Sequence, residues 1–117
     1  MAKTIKATAK KADASRTSRI TKTQARKFLA PVPEQYVFWC NDGSLFRDLR
    51  ELGGALAAMS DQTFAYHCND VKKDFSNWIR DVVGDTSLAR SLESANSRKQ
   101  AASLVEDRCL LLASKVG

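Results

Sequence analysis

The chain has 117 residues, 44% of them hydrophobic, and a formal net charge of +6. This length favours one domain with a core just large enough to fold without disulfides or a metal, and it excludes a large multidomain enzyme. No unbroken apolar run exceeds five residues, whereas a membrane-spanning helix needs about 20. No apolar segment follows the basic N-terminus either, so the sequence predicts no secretory signal.

The positive charge is concentrated at the N-terminus. Residues 1–27, here called the basic arm, hold nine basic side chains and one acidic one, a net charge of +8, whereas residues 28–117 carry a net charge of −2. The nine basic residues are Lys3, Lys6, Lys10, Lys11, Arg16, Arg19, Lys22, Arg26 and Lys27. Large apolar side chains are rare in this segment, so we predict that it is disordered in isolation.

Clustered lysines and arginines with few acids bind polyanions, because neutralising phosphates releases condensed counterions. The leading functional prediction is therefore that these nine side chains bind nucleic acid, RNA or DNA, with little sequence specificity. Two other interpretations remain open. The basic arm can be a solubilising tail without a partner, or it can be an organelle presequence, which is also rich in arginine and serine and poor in acids.

Two prolines, Pro31 and Pro33, predict an extended linker after the basic arm. We therefore divide the chain into an arm with its linker, residues 1–33, and a small helical domain, residues 34–117. The run 36–40 is aromatic and β-branched, as strands are. Asp42 and Gly43 favour a type I′ turn, so a short hairpin is expected over about 36–47.

The remaining sequence predicts five helices. Asp48 caps the first, Ser60 the second, Asp70 the third, Asp85 the fourth and Ser97 the last. Apolar residues then recur at helical spacing over 49–59, 61–68, 70–83, 86–94 and 98–115. The predicted fold class is mainly α, with an N-terminal β-hairpin packed on about five helices and preceded by the disordered basic arm.

Three cysteines and one histidine are the potential soft metal ligands: Cys40, Cys68, Cys109 and His67. No CxxC or HxxxH pair exists, and the adjacent His67 and Cys68 point about 100° apart on a helix. We therefore predict buried free thiols, with no metal and no cofactor. An odd number of cysteines indicates a reducing compartment, and a cytoplasmic location is expected.

The polar residues His67, Asn69, Asp70 and Asp74 form the other candidate site. A histidine with two carboxylates, Asp70 and Asp74, can act as a general acid or base, or bind a metal. The structural alternative is that Asp70 caps a helix, Asp74 pairs with Arg80, and His67 packs between helices. No phosphate loop or nucleophile motif is present, so no catalytic residue is predicted.

Three aromatic residues of the predicted hairpin, Tyr36, Phe38 and Trp39, could stack on nucleic-acid bases, but packing in the core is expected instead. A protein-interaction or ligand-binding module is the second functional hypothesis. Its site would lie between Tyr66 and Trp78, and the basic arm would be a passive tail. A small metal-dependent or acid–base enzyme using His67, Asp70 and Asp74 is the third.

Several segments together resemble a small, largely archaeal prokaryotic family of unknown function. These segments are Phe38-Trp39, Asp42-Gly43, Leu49 with Leu52, residues 59–69 and, most specifically, the run 66–89. The resemblance covers about residues 34–108 and implies a compact, mostly helical intracellular domain without an assigned activity. One departure is Lys73, where the family pattern has Asn before the Asp-Phe pair. The basic arm lies outside the resemblance.

Overall fold

The computed structural model describes residues 20–117. Within this range there are six α-helices and one two-stranded antiparallel sheet. In chain order the elements are α1 (Lys22–Leu29), a 3₁₀ turn (Glu34–Tyr36), β1 (Phe38–Trp39), β2 (Leu45–Phe46), α2 (Leu49–Ala58), α3 (Asp61–His67), α4 (Asp74–Trp78) with a π-helical continuation (Ile79–Val83), α5 (Thr86–Glu93) and α6 (Arg98–Val116). None of these helices is long and apolar enough to cross a membrane.

The first helix corrects the predicted boundary at Glu34. Thr21 and Gln24 form a reciprocal capping box at its N-terminus, and α1 packs mainly on α6. Ala25 is fully buried and Leu29 nearly so. The prediction of disorder is therefore wrong for residues 22–27 of the basic arm, because the short apolar stripe of α1 packs on α6. The part of that prediction that concerns residues 1–19 lies outside the described residues.

The hairpin is confirmed, although it is shorter than expected. Phe38 pairs with Phe46 and Trp39 pairs with Leu45. The connection is not a two-residue type I′ turn. The Gly43 N–H donates to the Cys40 carbonyl and the Cys40 N–H donates to Ser44, so the loop has three residues with Gly43 in the left-handed region at φ 94°. This is the arrangement of a tight turn followed by a glycine bulge.

The five helices that follow the hairpin confirm the mainly α fold class. The side chains of Asp48, Ser60, Asp85 and Ser97 each accept a backbone N–H bond at a helix start, as predicted. The most extensive packing between two elements joins α2 and α6. Gly53 permits this close approach, since a Cβ atom there would lie 3.3 Å from Val105.

The start of α4 differs from the prediction. The helix begins at Asp74 rather than Asp70, because the side chain of Asn69 organises a separate turn over residues 69–72. The end of this segment agrees with the prediction. The π-helical continuation stops at Gly84, which has φ 96° and supplies the left-handed C-terminal residue.

A buried ion pair joins α5 to α6. Arg108 donates from Nε and Nη2 to the two carboxylate oxygens of Asp85, at 2.7 and 2.8 Å. Asp85 also caps α5 through its bond with the Leu88 N–H. The sequence predicted the cap but not the pair, because Arg108 and Asp85 are 23 residues apart and nothing local links them.

Candidate functional site

His67 lies at the C-terminal end of α3 and is buried beneath the hairpin. Its ring is packed among Phe38, Tyr66 and Phe75, with centroid separations of 4.9–5.3 Å. The backbone N–H of Asn41 donates to Nε2 at 2.9 Å, so this nitrogen must carry the lone pair. The proton of the neutral ring is consequently on Nδ1, which lies 3.0 Å from Asp74 Oδ2 and donates to it.

Asp74 connects this histidine to the surface. Its carboxylate accepts the His67 bond and also lies 3.4 Å from Lys72 Nζ. The same ammonium sits 4.1 Å from the centre of the Tyr66 ring, which is a cation–π distance. The expected pairing of Asp74 with Arg80 is wrong, since Arg80 instead contacts Asn77, Asp81 and Glu93.

Asn69 and Asp70 do not join His67 and Asp74. The Asn69 side chain donates to the Ala65 carbonyl at 2.8 Å and accepts the N–H groups of Val71 and Lys72. It therefore closes α3 and shapes the turn that follows. Asp70 is exposed in that turn and caps no helix, because α4 starts four residues later.

The structure thus brings together two of the four predicted polar residues, and their geometry favours a structural role. Both ring nitrogens of His67 are engaged in internal hydrogen bonds. A general base or a metal ligand needs a nitrogen lone pair directed at the substrate or the ion. Among residues 20–117 no group of three or more His, Cys, Asp or Glu side chains is arranged to hold a metal ion.

The three cysteines are free thiols, as predicted. Cys40 is buried, whereas Cys68 and Cys109 are only partly buried, which corrects the expectation of burial for these two. Removal from water raises the pKa of all three thiols, and that of Cys109 to about 11. The reactive thiolate is therefore scarce at neutral pH.

We expect the Cys109 thiol to make stability depend on pH in the alkaline range. Its pKa is about 11 in the folded protein, against an ordinary value of 9.0. The unfolded chain ionises first, so the stabilisation is complete below about pH 9 and is lost as the pH rises towards 11. Urea unfolding of the wild type and of Cys109→Ala across this range measures it. A difference in unfolding free energy that does not change with pH would contradict the prediction.

Three of the predicted nucleic-acid-binding residues lie on α1. Lys22, Arg26 and Lys27 are exposed, and no ion pair joins them to an acid among residues 20–117. The opposite face of α1 is fixed on the core by Ala25 and Leu29. The other six predicted residues lie outside the described part of the chain: Lys3, Lys6, Lys10, Lys11, Arg16 and Arg19.

The predicted packing of the hairpin aromatics is right for one residue of three. Phe38 is buried and stacks on Phe46 and Phe75, each at 5.2 Å. Trp39, however, is 73% exposed, and Tyr36 is 53% exposed. Successive side chains of a strand point to opposite faces of the sheet, so the sequence could have indicated that one of the two adjacent aromatic residues of β1 faces outwards.

Comparisons of the chain with protein-family models, with curated proteins and with solved structures find no match. The resemblance of residues 34–108 to a family therefore stays a prediction from the sequence.

Proposed function

We propose that this protein is a non-enzymatic binding protein that holds nucleic acid by its phosphates through the basic arm. The observation that carries the proposal is the concentration of nine basic and one acidic side chain in residues 1–27, beside a remainder of net charge −2. A short segment of this charge density attracts a polyanion, and phosphate contacts need no base recognition. Low sequence specificity follows from that mode of binding.

The placement of α1 supports the proposal. Its apolar face is anchored on α6, so Lys22, Arg26 and Lys27 are presented on a helix that is already folded. Less conformational entropy is lost when phosphates bind to cations on an ordered helix than when they bind to an unstructured chain. Capping by Thr21 and Gln24 keeps the first turn of this helix formed.

The dependence of affinity on salt tests the proposal. The expected log–log slope is about −0.9 per phosphate contact on duplex DNA and about −0.7 on a single strand. With about four to seven contacts, the slope on duplex is roughly −4 to −6, and affinity falls by at least about a hundredfold between 50 and 200 mM salt. Fluorescence anisotropy of labelled oligonucleotides of unrelated sequence measures both quantities.

Two results of that titration would contradict the proposal. One is the absence of salt-sensitive binding to DNA or RNA even at low ionic strength. The other is a strong preference for one base sequence, because contacts to phosphates carry no sequence information.

The protein-interaction hypothesis has one specific observation in its favour. Val71 in the turn before α4 is 90% exposed and Tyr66 is half exposed, and both lie in the predicted interaction region 66–78. If residues 66–78 form the binding surface for a protein partner, we expect no nucleic-acid binding. The Val71→Asp variant should then no longer bind that partner. Pull-down with the full chain distinguishes the two functions.

A further inference from the structure

The indole ring of Trp39 is exposed to solvent. Its neighbours in the chain, Phe38 and Cys40, are buried, whereas Trp39 itself is 73% exposed. The other tryptophan of the chain, Trp78, is 7% exposed and donates its N–H to a backbone carbonyl. Tryptophan is one of the residue types most enriched at the energetic centres of binding surfaces.

The hairpin holds this ring on a fixed base. Trp39 pairs with Leu45 across the two strands, and the buried Phe38 and Phe46 directly behind them stack at 5.2 Å. The Asn41 N–H is bonded to the buried His67, which ties the strand end to α3. The indole is therefore presented by a preorganised element, so little backbone entropy is lost when a ligand packs on it.

The linker that follows α1 passes the end of the hairpin. The Val32 N–H donates to the carbonyl of Arg47 at 2.7 Å, so the linker after α1 runs beside the end of β2. A path of Cα–Cα distances leads from Leu29 along the chain to Val32, across to Arg47, along to Leu45 and across to Trp39. Their sum places Trp39 at most about 30 Å from the end of α1. A polyanion bound along α1 can therefore extend to the hairpin.

An exposed indole on the same domain as a cationic helix favours one form of nucleic acid. Bases stack on aromatic side chains through their π faces, which every base possesses, so stacking adds affinity without sequence readout. Those faces are covered in a duplex and available in a single strand. We propose that Trp39 is a stacking platform for an unpaired base and that the ligand is single-stranded nucleic acid; this inference rests on the proposed function.

The experiment compares an oligo(dT) strand with a duplex of equal length, using the full chain. Stacking is worth about 1–3 kcal/mol per base, so Trp39→Ala is expected to weaken oligo(dT) binding by about 5- to 150-fold. Duplex binding through the basic arm stays unchanged. Trp39→Phe retains part of the single-strand affinity, because a smaller aromatic ring remains. Leu110→Ala, which shortens another exposed apolar side chain, is the matched control and leaves both affinities unchanged.

Indole fluorescence gives a second readout. Oligo(dT) is expected to quench the emission of the wild type, and the quenching is lost in Trp39→Phe, whose only indole is the buried Trp78. Since Trp39 is exposed, thermal unfolding should show that these variants keep the wild-type midpoint within a few degrees.

The possible failures are distinguishable. If wild type and Trp39→Ala bind oligo(dT) equally well, with the same salt slope, the stacking inference is overturned and the proposed function stands. If Trp39→Ala weakens single-strand and duplex binding equally, Trp39 does not read unpaired bases and the inference is again overturned. If neither nucleic acid binds or quenches, both proposals fail, and Trp39 is left as a contact surface for a protein partner.

Discussion

Replacing Lys22, Arg26 and Lys27 together with Gln is expected to weaken duplex binding by up to about 500-fold in 0.1 M salt. Loss of three phosphate contacts reduces the magnitude of the log–log salt slope by up to about 2.7. In 0.1 M salt the affinity then falls by up to about 2.7 powers of ten. The three side chains are exposed on α1. Glutamine retains good helix propensity, so the helix itself should persist. Anisotropy titrations at several salt concentrations give the slope and the affinity.

A control variant with the same change in net charge separates local contacts from long-range attraction. Arg50, Arg90 and Lys99 are also exposed and have no ion pair with an acid among residues 20–117. Replacing these three with Gln should leave the salt slope unchanged. Equal losses of slope in the two variants would mean that net charge alone matters and that α1 makes no phosphate contacts.

Trp78→Ala is expected to lower the free energy of unfolding by about 3–5 kcal/mol. This is a large part of the roughly 5–15 kcal/mol that stabilises a small domain. The ring packs edge-on against Phe38 with centroids 6.0 Å apart, and its N–H donates to the Tyr36 carbonyl at 2.8 Å. The substitution therefore opens a cavity and also releases the 3₁₀ turn from α4. Urea unfolding followed by circular dichroism measures the loss.

Two further variants are controls for Trp78→Ala: one keeps an aromatic ring at position 78, and the other removes the exposed tryptophan. Trp78→Phe keeps most of the packing but leaves the Tyr36 carbonyl without its donor, a loss of about 1–3 kcal/mol if that group is kept from water. Trp39→Ala removes the exposed tryptophan and should change stability by no more than about 0.5 kcal/mol. An unchanged unfolding midpoint in Trp78→Ala would show that packing around this ring does not stabilise the domain.

The local elements were predictable because their signals lie within a few residues of one another. Helix caps such as Asp48, Ser60 and Ser97 place a side-chain acceptor three residues before the N–H that it binds. Glycine at position 84 ends the π-helical continuation of α4 because it adopts a positive φ at no steric cost. The asymmetric charge of the chain is likewise a property of composition, and it carries the proposed function without reference to any fold.

Other features depend on contacts between distant parts of the chain. Helix α1 has too few apolar residues to be stable alone, and it forms where α6 buries Ala25 and Leu29. From the sequence, His67 could be a general base, a metal ligand or a structural residue. The structure favours the last of these, because both ring nitrogens are hydrogen-bonded, one to the Asn41 N–H and one to Asp74.

The two tryptophans show the same division between sequence and tertiary structure. Their residue type predicts burial for both, and the prediction is confirmed for Trp78 and wrong for Trp39. The sequence by itself determined the hairpin, the five helices that follow it and the separation of charge, since local backbone preferences and composition set them. Only the tertiary structure decided which strand face lies on the core, because burial depends on what packs against a residue, and so it left Trp39 at the surface.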